Sequence, residues 1–210
     1  MPQALSQVLV LVSAAFCIGG LALRLWWAFR HPSPADMARA RGAAGWGVLR
    51  AFTLGMLPWE KPSRSPKFWV AYVRGILFHL GAFAGLAALA LSPWSEDIPP
   101  TVGTVLFAGV AMGLVAGLAG LIMRWSDGEV RSLSIPDDYV SLALVLVFLA
   151  GALIFLGAPS QRTAFYLLSC PMLLYIPFSK VRHCAFFFVS RFYYGASWGR
   201  LGFGEHRTRE

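Results

Sequence analysis

Residues Trp69 to Leu91 read WVAYVRGILFHLGAFAGLAALAL, a run in which Arg74 is the one formal charge and His79 the one imidazole. A helix rising about 1.5 Å per residue needs about 20 mostly apolar residues to cross a hydrocarbon core about 30 Å thick. This stretch has that length, so it predicts a membrane-crossing helix. A polar ring inside such a helix needs a partner, because an unsatisfied polar group in lipid costs on the order of several kcal/mol.

The same length test applied outward predicts four more spans, at residues 4–23, 102–123, 139–157 and 163–190, the last running into the aromatic stretch from Phe186 to Phe192 with bends at Pro171 and Pro177. The composition agrees: of 210 residues 57% are hydrophobic and 13% charged, with a mean hydropathy of +0.61. Those values exclude a soluble domain and a disordered chain. A secretory leader is not expected, because the first apolar run is a full span with no basic residue before it. The fold class is therefore an all-α, multi-pass membrane protein of five transmembrane helices in a single domain over residues 1–210.

Charge sets the expected orientation, because Lys and Arg near span ends are retained on the cytoplasmic side. The connection at residues 30–68 carries Arg30, Arg39, Arg41, Arg50, Lys61, Arg64 and Lys67; Arg124 and Arg131 follow the third span, and six more basic residues lie from Lys180 onward. The N-terminus and the segment from Ser92 to Thr101 carry none, and the connection before the fifth span has Arg162 alone. The N-terminus is thus expected outside, and the C-terminus, with a tail at 191–210, in the cytoplasm. The net charge of +8 then reflects orientation and anionic headgroups, and without a binding motif it gives no reason to expect nucleic acid. Residues 35–57 mix Arg39, Arg41 and Arg50 with Trp46, Leu49, Phe52 and Leu54. They read either as a helix lying in the headgroup plane or as an ordinary basic loop.

Cys17, Cys170 and Cys184 lie scattered in apolar segments without CxxC spacing and read as small buried hydrophobes. Covalent haem attachment and an iron–sulfur cluster held by this chain alone are not expected. Nor is there a glycine-rich phosphate loop, a GxSxG or an HExxH.

His79 and His183 are left. With the charge-derived topology, His79 lies about 8 Å beyond Arg74 on an outward-running helix, and His183 about 12 Å before Arg191 on an inward-running one. Both fall near the cytoplasmic face, at a depth where two imidazoles can bind one haem iron from opposite sides. Gly75, Ala82 and Gly85 flank His79 and would let a planar ring approach the helix. Arg74, Lys180 and Arg182 are basic residues within one or two turns, suited to haem propionates or to snorkelling toward headgroups. The alternative for each histidine is a hydrogen-bonded packing role between helices.

The stretches Gly75-Ile76-Leu77-Phe78-His79-Leu80-Gly81 and Pro177-Phe178-Ser179-Lys180-Val181-Arg182-His183, followed by Arg191-Phe192-Tyr193, resemble the haem-bearing gamma subunit of respiratory nitrate reductase and the cytochrome b subunits of membrane heterodisulfide reductase and dissimilatory sulfite-reduction complexes. Arg124, Arg131, Ser134 and Asp138 are similar to that family's connection into its fourth span. The resemblance covers Trp69 to Arg200. It implies five spans, haem b held by His79 and His183, a pocket near Arg74, Gly75, Lys180 and Arg182, quinone as the exchangeable substrate, and a cytoplasmic iron–sulfur partner in a prokaryotic inner membrane. Where two-haem members carry two further histidines, this chain has Leu89 and Phe165. His31 and His206 fall in the cytoplasmic loop and tail, so a single haem is expected. With one inner haem, quinone is expected to bind on the cytoplasmic half. The basic loop and the tail from Tyr194 to Glu210 are the expected docking surfaces.

A different class of reading is a non-redox membrane anchor or scaffold that docks a soluble enzyme, for which Gly109, Gly113 and Gly117 supply a small-residue packing ridge. A transporter is disfavoured, since no span carries an interior carboxylate as a coupling site.

Overall fold

The structure, a computed structural model, describes residues 3–31, 38–57 and 65–202. Among these the regular elements are all helical. They are α1 (Gln3–Arg30), α2 (Ala44–Phe52), α3 (Pro66–Leu91), α4 (Pro100–Ser126), α5 (Gly128–Ser132), α6 (Pro136–Gly157), α7 (Arg162–Tyr175) and α8 (His183–Arg200), joined in places by short 3-10 turns. Four helices, α1, α3, α4 and α6, are each long and apolar enough to cross a membrane; α7 and α8 reach that length only as a bent pair. His206, Lys61, Arg64 and the last residues of the tail lie outside the described residues.

Proline opens three of the long helices: Pro66, Pro100 and Pro136 occupy first-turn positions, where the missing N–H costs nothing. Asp137 and Asp138 lie in the first turn of α6, toward its positive dipole end, and Asp138 Oδ2 accepts from the Ile135 N–H at 2.9 Å. The short α5 is capped by Asp127, whose Oδ1 accepts from the Glu129 N–H at 3.0 Å and the Val130 N–H at 3.4 Å. The Val130 and Glu129 amides, with Lys67 3.6 Å away, hold this carboxyl below the usual aspartate range against a smaller desolvation effect.

Residue proximity divides the chain into two compact units, Met1–Gly20 with Pro66–Val181 and Leu21–Ser65 with Arg182–Glu210. The first unit is built on glycine. A methyl group placed on Gly113 of α4 would lie 2.5 Å from Gly81 Cα of α3, so these two helices meet backbone to backbone. Gly117 is covered by Phe78 and Leu146, and Gly85 by Phe148 and Leu149, which brings α6 against both α3 and α4. On the far side of α6, Gly151 receives Leu168 and Phe165 of α7. Phe165 is fully buried between Phe155 (ring centroids 5.2 Å apart, nearly parallel) and Phe148 (5.8 Å). The Tyr166 hydroxyl is hydrogen-bonded to Ser92 Oγ at 2.9 Å, so the buried phenol keeps a partner. From α1, the stripe Ser6, Val10, Ser13 and Cys17 is buried at helical spacing.

The expected span at 163–190 is interrupted. Pro171 is accommodated inside α7, and the break falls at residues 176–179 around Pro177. There the backbone switches to tighter bonds: the Phe178 N–H donates to the Tyr175 carbonyl and Ser179 N–H to both the Tyr175 and Ile176 carbonyls. Buried Ser179 completes the corner, its hydroxyl oxygen accepting from the Val181 N–H at 3.1 Å. Helix then resumes at His183 and continues to Arg200, ten residues past the expected end.

In the second unit α2 packs on α8 through a second glycine contact. A methyl on Gly195 would lie 2.7 Å from the Gly47 carbonyl oxygen and one on Gly199 2.7 Å from Gly47 Cα. The Arg41 and Gly42 N–H groups donate to the Arg200 carbonyl at 2.8 and 3.1 Å, and Phe52 stacks on Phe188. Residues 44–52 are therefore helical, which answers half of the earlier alternative. Gly47 and Ala51 are its buried side, while Trp46 and Leu49 are exposed.

Candidate haem site

His79 stands on the side of α3 opposite its glycine contacts. Gly81, Gly85 and Ala88 are buried against α4 and α6, whereas Ile76, His79 and Phe83 are exposed. Its Nδ1–H donates to the Gly75 carbonyl one turn back at 2.6 Å. A carbonyl can only accept, so this bond places a proton on Nδ1; in the neutral ring Nε2 is then the lone-pair nitrogen, the form in which histidine ligates metals. Gly75 shares that face, four residues or about 40° from His79. A methyl added there would meet nothing within 4 Å. Ring and glycine together leave an imidazole with a set tautomer beside bare backbone.

His183 belongs to the second unit, where it is the first residue of α8 and is exposed, with Arg182 as the residue preceding the helix. The break after Tyr175 therefore puts this histidine at a helix start rather than mid-helix, as the uninterrupted span had implied.

The basic residues predicted around the pair have separate surroundings. Arg74 is five residues before His79, about 140° around the helix. Its guanidinium lies against Gly120 of α4, and it lines a groove between α3 and α4 from which His79 is absent. The Lys180 ammonium donates to Asp138 Oδ1 and Oδ2 at 2.8 and 2.9 Å, while the Lys180 N–H donates to Asp137 Oδ2 at 2.8 Å. This belongs to a network that the sequence reading missed. Asp137 Oδ1 accepts from the Tyr175 hydroxyl at 2.7 Å and from Ser141 Oγ at 3.2 Å, and Arg124 donates to Ser134 Oγ at 2.8 Å while lying 3.9 Å from Asp138. The network ties the start of α6 to the corner after α7. Two adjacent carboxylates opening an apolar helix were its one legible signal.

The remaining metal chemistry is thin. No group of three or more His, Cys, Asp or Glu side chains among the described residues is arranged to hold a metal ion. Cys17 is buried and Cys170 donates to the Tyr166 carbonyl, while Cys184 is exposed. Leu89 and Phe165, where the two-haem pattern would need histidines, are a half-buried residue whose carbonyl accepts from Ser92 and a fully packed aromatic ring. Comparison with models of known protein families, with characterised proteins and with solved structures finds no match to this chain.

Proposed function

We propose that this chain is the membrane subunit of a quinone-linked oxidoreductase, carrying electrons between a membrane quinone and a cytoplasmic iron–sulfur subunit by way of one haem b with His79 and His183 as axial ligands. In this reading it crosses a prokaryotic inner membrane five times, counting the bent α7–α8 pair as one crossing, with its N-terminus outside. The observation that carries it is the His79 arrangement. A ring whose Nδ1 proton is committed to the Gly75 carbonyl, on a face kept bare by that glycine, is oriented and electronically prepared as a ligand.

A haem held by the two imidazoles would supply reversible one-electron transfer. The chain's part is to hold and orient. The Gly75 carbonyl sets the plane of the His79 ring and raises the basicity of Nε2. Arg182, beside His183, is the basic residue retained for propionates. Arg74 is turned to α4, and Lys180 braces the corner through Asp138. Position 165, where the two-haem members that the chain resembles carry a histidine, is a phenylalanine stacked with Phe148 and Phe155, in keeping with the reading of one haem.

The competing reading, a non-redox anchor docking a soluble enzyme, draws on the same glycine packing. Absorbance separates the two. Purified protein reduced with dithionite is expected to give a b-type haem spectrum that His79→Ala and His183→Ala abolish and His31→Ala keeps. A wild-type preparation without haem, or ligand variants that retain it, overturns the cytochrome assignment in favour of the anchor. Partner subunits that co-purify test the electron-transfer route.

A further inference from the structure

The α3–α4 groove contains a cation that no carboxylate among the described residues neutralises. The groove is open, about 730 Å³ in volume, and walled by Val70, Val73 and Leu77 of α3 and Val115 and Ala119 of α4, with Arg74 as its one charged lining residue. Glycine at position 120 lets the end of the guanidinium approach the α4 backbone, where a Cβ would crowd its terminal nitrogen. Arg74 Nε is buried without a hydrogen-bond partner. Among the described residues no carboxylate pairs with Arg74, and the charge acting on it is the like-charged Arg124.

Burying a guanidinium against apolar walls is costly unless an anion accompanies it. The position of Arg74 indicates the kind of anion. It lies eight residues, about 12 Å, into α3 and opposite Gly120, six residues from the end of α4, at the end of the bundle where Lys67 pairs with Asp127. That depth suits a group at the boundary between headgroups and hydrocarbon. The rest of the groove presents apolar side chains, Trp69 among them, along two membrane-length helices. We propose that the groove is a specific site for an anionic phospholipid, its phosphodiester on the Arg74 guanidinium and an acyl chain along the α3–α4 cleft. An uncharged quinone would fill the apolar part and leave the cation uncompensated. The proposal is independent of the haem assignment.

The test is native mass spectrometry of the full chain, delipidated in mild detergent and titrated with phosphatidylglycerol or phosphatidylcholine of equal chain length. Phosphatidylcholine carries the same phosphodiester but offsets it with its own trimethylammonium, so wild type is expected to retain phosphatidylglycerol about tenfold more tightly, as one uncompensated charge-assisted contact implies. Arg74→Gln is expected to remove that preference, Arg74→Lys to keep most of it, and Ala119→Phe, which fills the cleft and spares the charge, to weaken retention. Equal retention of the two lipids, or an unchanged preference in Arg74→Gln, overturns the proposal. So does competition by inorganic phosphate alone, which would make this a free-anion site, or displacement by an uncharged quinone at equal concentration. If Arg74→Gln cannot be recovered folded, Ala119→Phe decides: unchanged phosphatidylglycerol retention overturns the proposal, and reduced retention supports it.

Discussion

Gly75 and Gly113 are both glycines in long apolar helices, and the structure predicts opposite outcomes for enlarging them. A methyl on Gly113 would sit 2.5 Å from Gly81 Cα, where ordinary contact begins near 3.4 Å. The α3 and α4 backbones would have to part by about 0.9 Å, and no flexible side chain is there to yield instead. Overpacking of this kind costs about 1–3 kcal/mol, or about 5- to 150-fold in the folded-to-unfolded ratio. Gly75 has nothing within 4 Å of such a methyl. Replacing it removes a flexible residue from a helix, so Gly75→Leu is expected to gain about 0.5–1 kcal/mol. If the bare backbone beside His79 is where a macrocycle lies, the same leucine would displace it. Unfolding in mixed micelles followed by near-ultraviolet circular dichroism reads the first quantity, and the reduced-minus-oxidised spectrum per mole of protein reads the second. Gly113→Ala is expected to lose stability, and haem only in proportion to unfolding; Gly75→Leu is expected to stay folded and lose haem by tenfold or more. A Gly75→Leu protein that is folded and keeps full haem content refutes the reasoning about this face, and one as unstable as Gly113→Ala refutes the reading of its open space.

Other outcomes follow from the packing. Phe165→Ala, in the stacked core of α6 and α7, is expected to cost about 3–5 kcal/mol by the same unfolding assay. Phe165→His is expected to leave the haem-to-protein ratio unchanged, because Phe148 and Phe155 already occupy the space beside that ring. The depressed Asp127 carboxyl stabilises the α5 cap above the unfolded aspartate value of about 3.9 and loses that contribution as pH falls through its lower folded value. Hydrogen exchange of residues 128–132, compared between wild type and Asp127→Asn, is therefore expected to converge at the acid end and diverge toward neutral pH. Gly195→Leu is expected to separate α2 from α8, read as increased proteolysis of residues 38–57 in the folded protein.

Four apolar helices were legible because a run of about 20 apolar residues has few other outcomes, and the glycine ridge on α4 announced its contact in advance. The interruption near Pro177 was only half legible. Two prolines were candidates for bending; Pro171 proved tolerable within α7, and the corner formed where Pro177 is followed by Ser179, which can accept from the backbone. The direction of Arg74 was available from helical period alone, five residues being far from a whole number of turns, but proximity in sequence to His79 obscured it. The Asp137–Tyr175–Lys180 network and the meeting of Gly47 with Gly195 and Gly199 join segments tens to more than a hundred residues apart. No local pattern encodes such pairings.

The two sides of α3 answer to different constraints. Where it meets α4 and α6, any added atom displaces a neighbouring main chain or a ring, so drift at positions 81 and 85 is throttled by volume alone. On the opposite side, at the exposed positions 76, 83 and 86, oiliness is the first requirement and size matters only where it would crowd a group held by His79. A deep mutational scan along this one helix should therefore trace two interleaved tolerance profiles. A histidine that resists replacement in the permissive series would stand out as chemistry against a background of mere solubility in lipid.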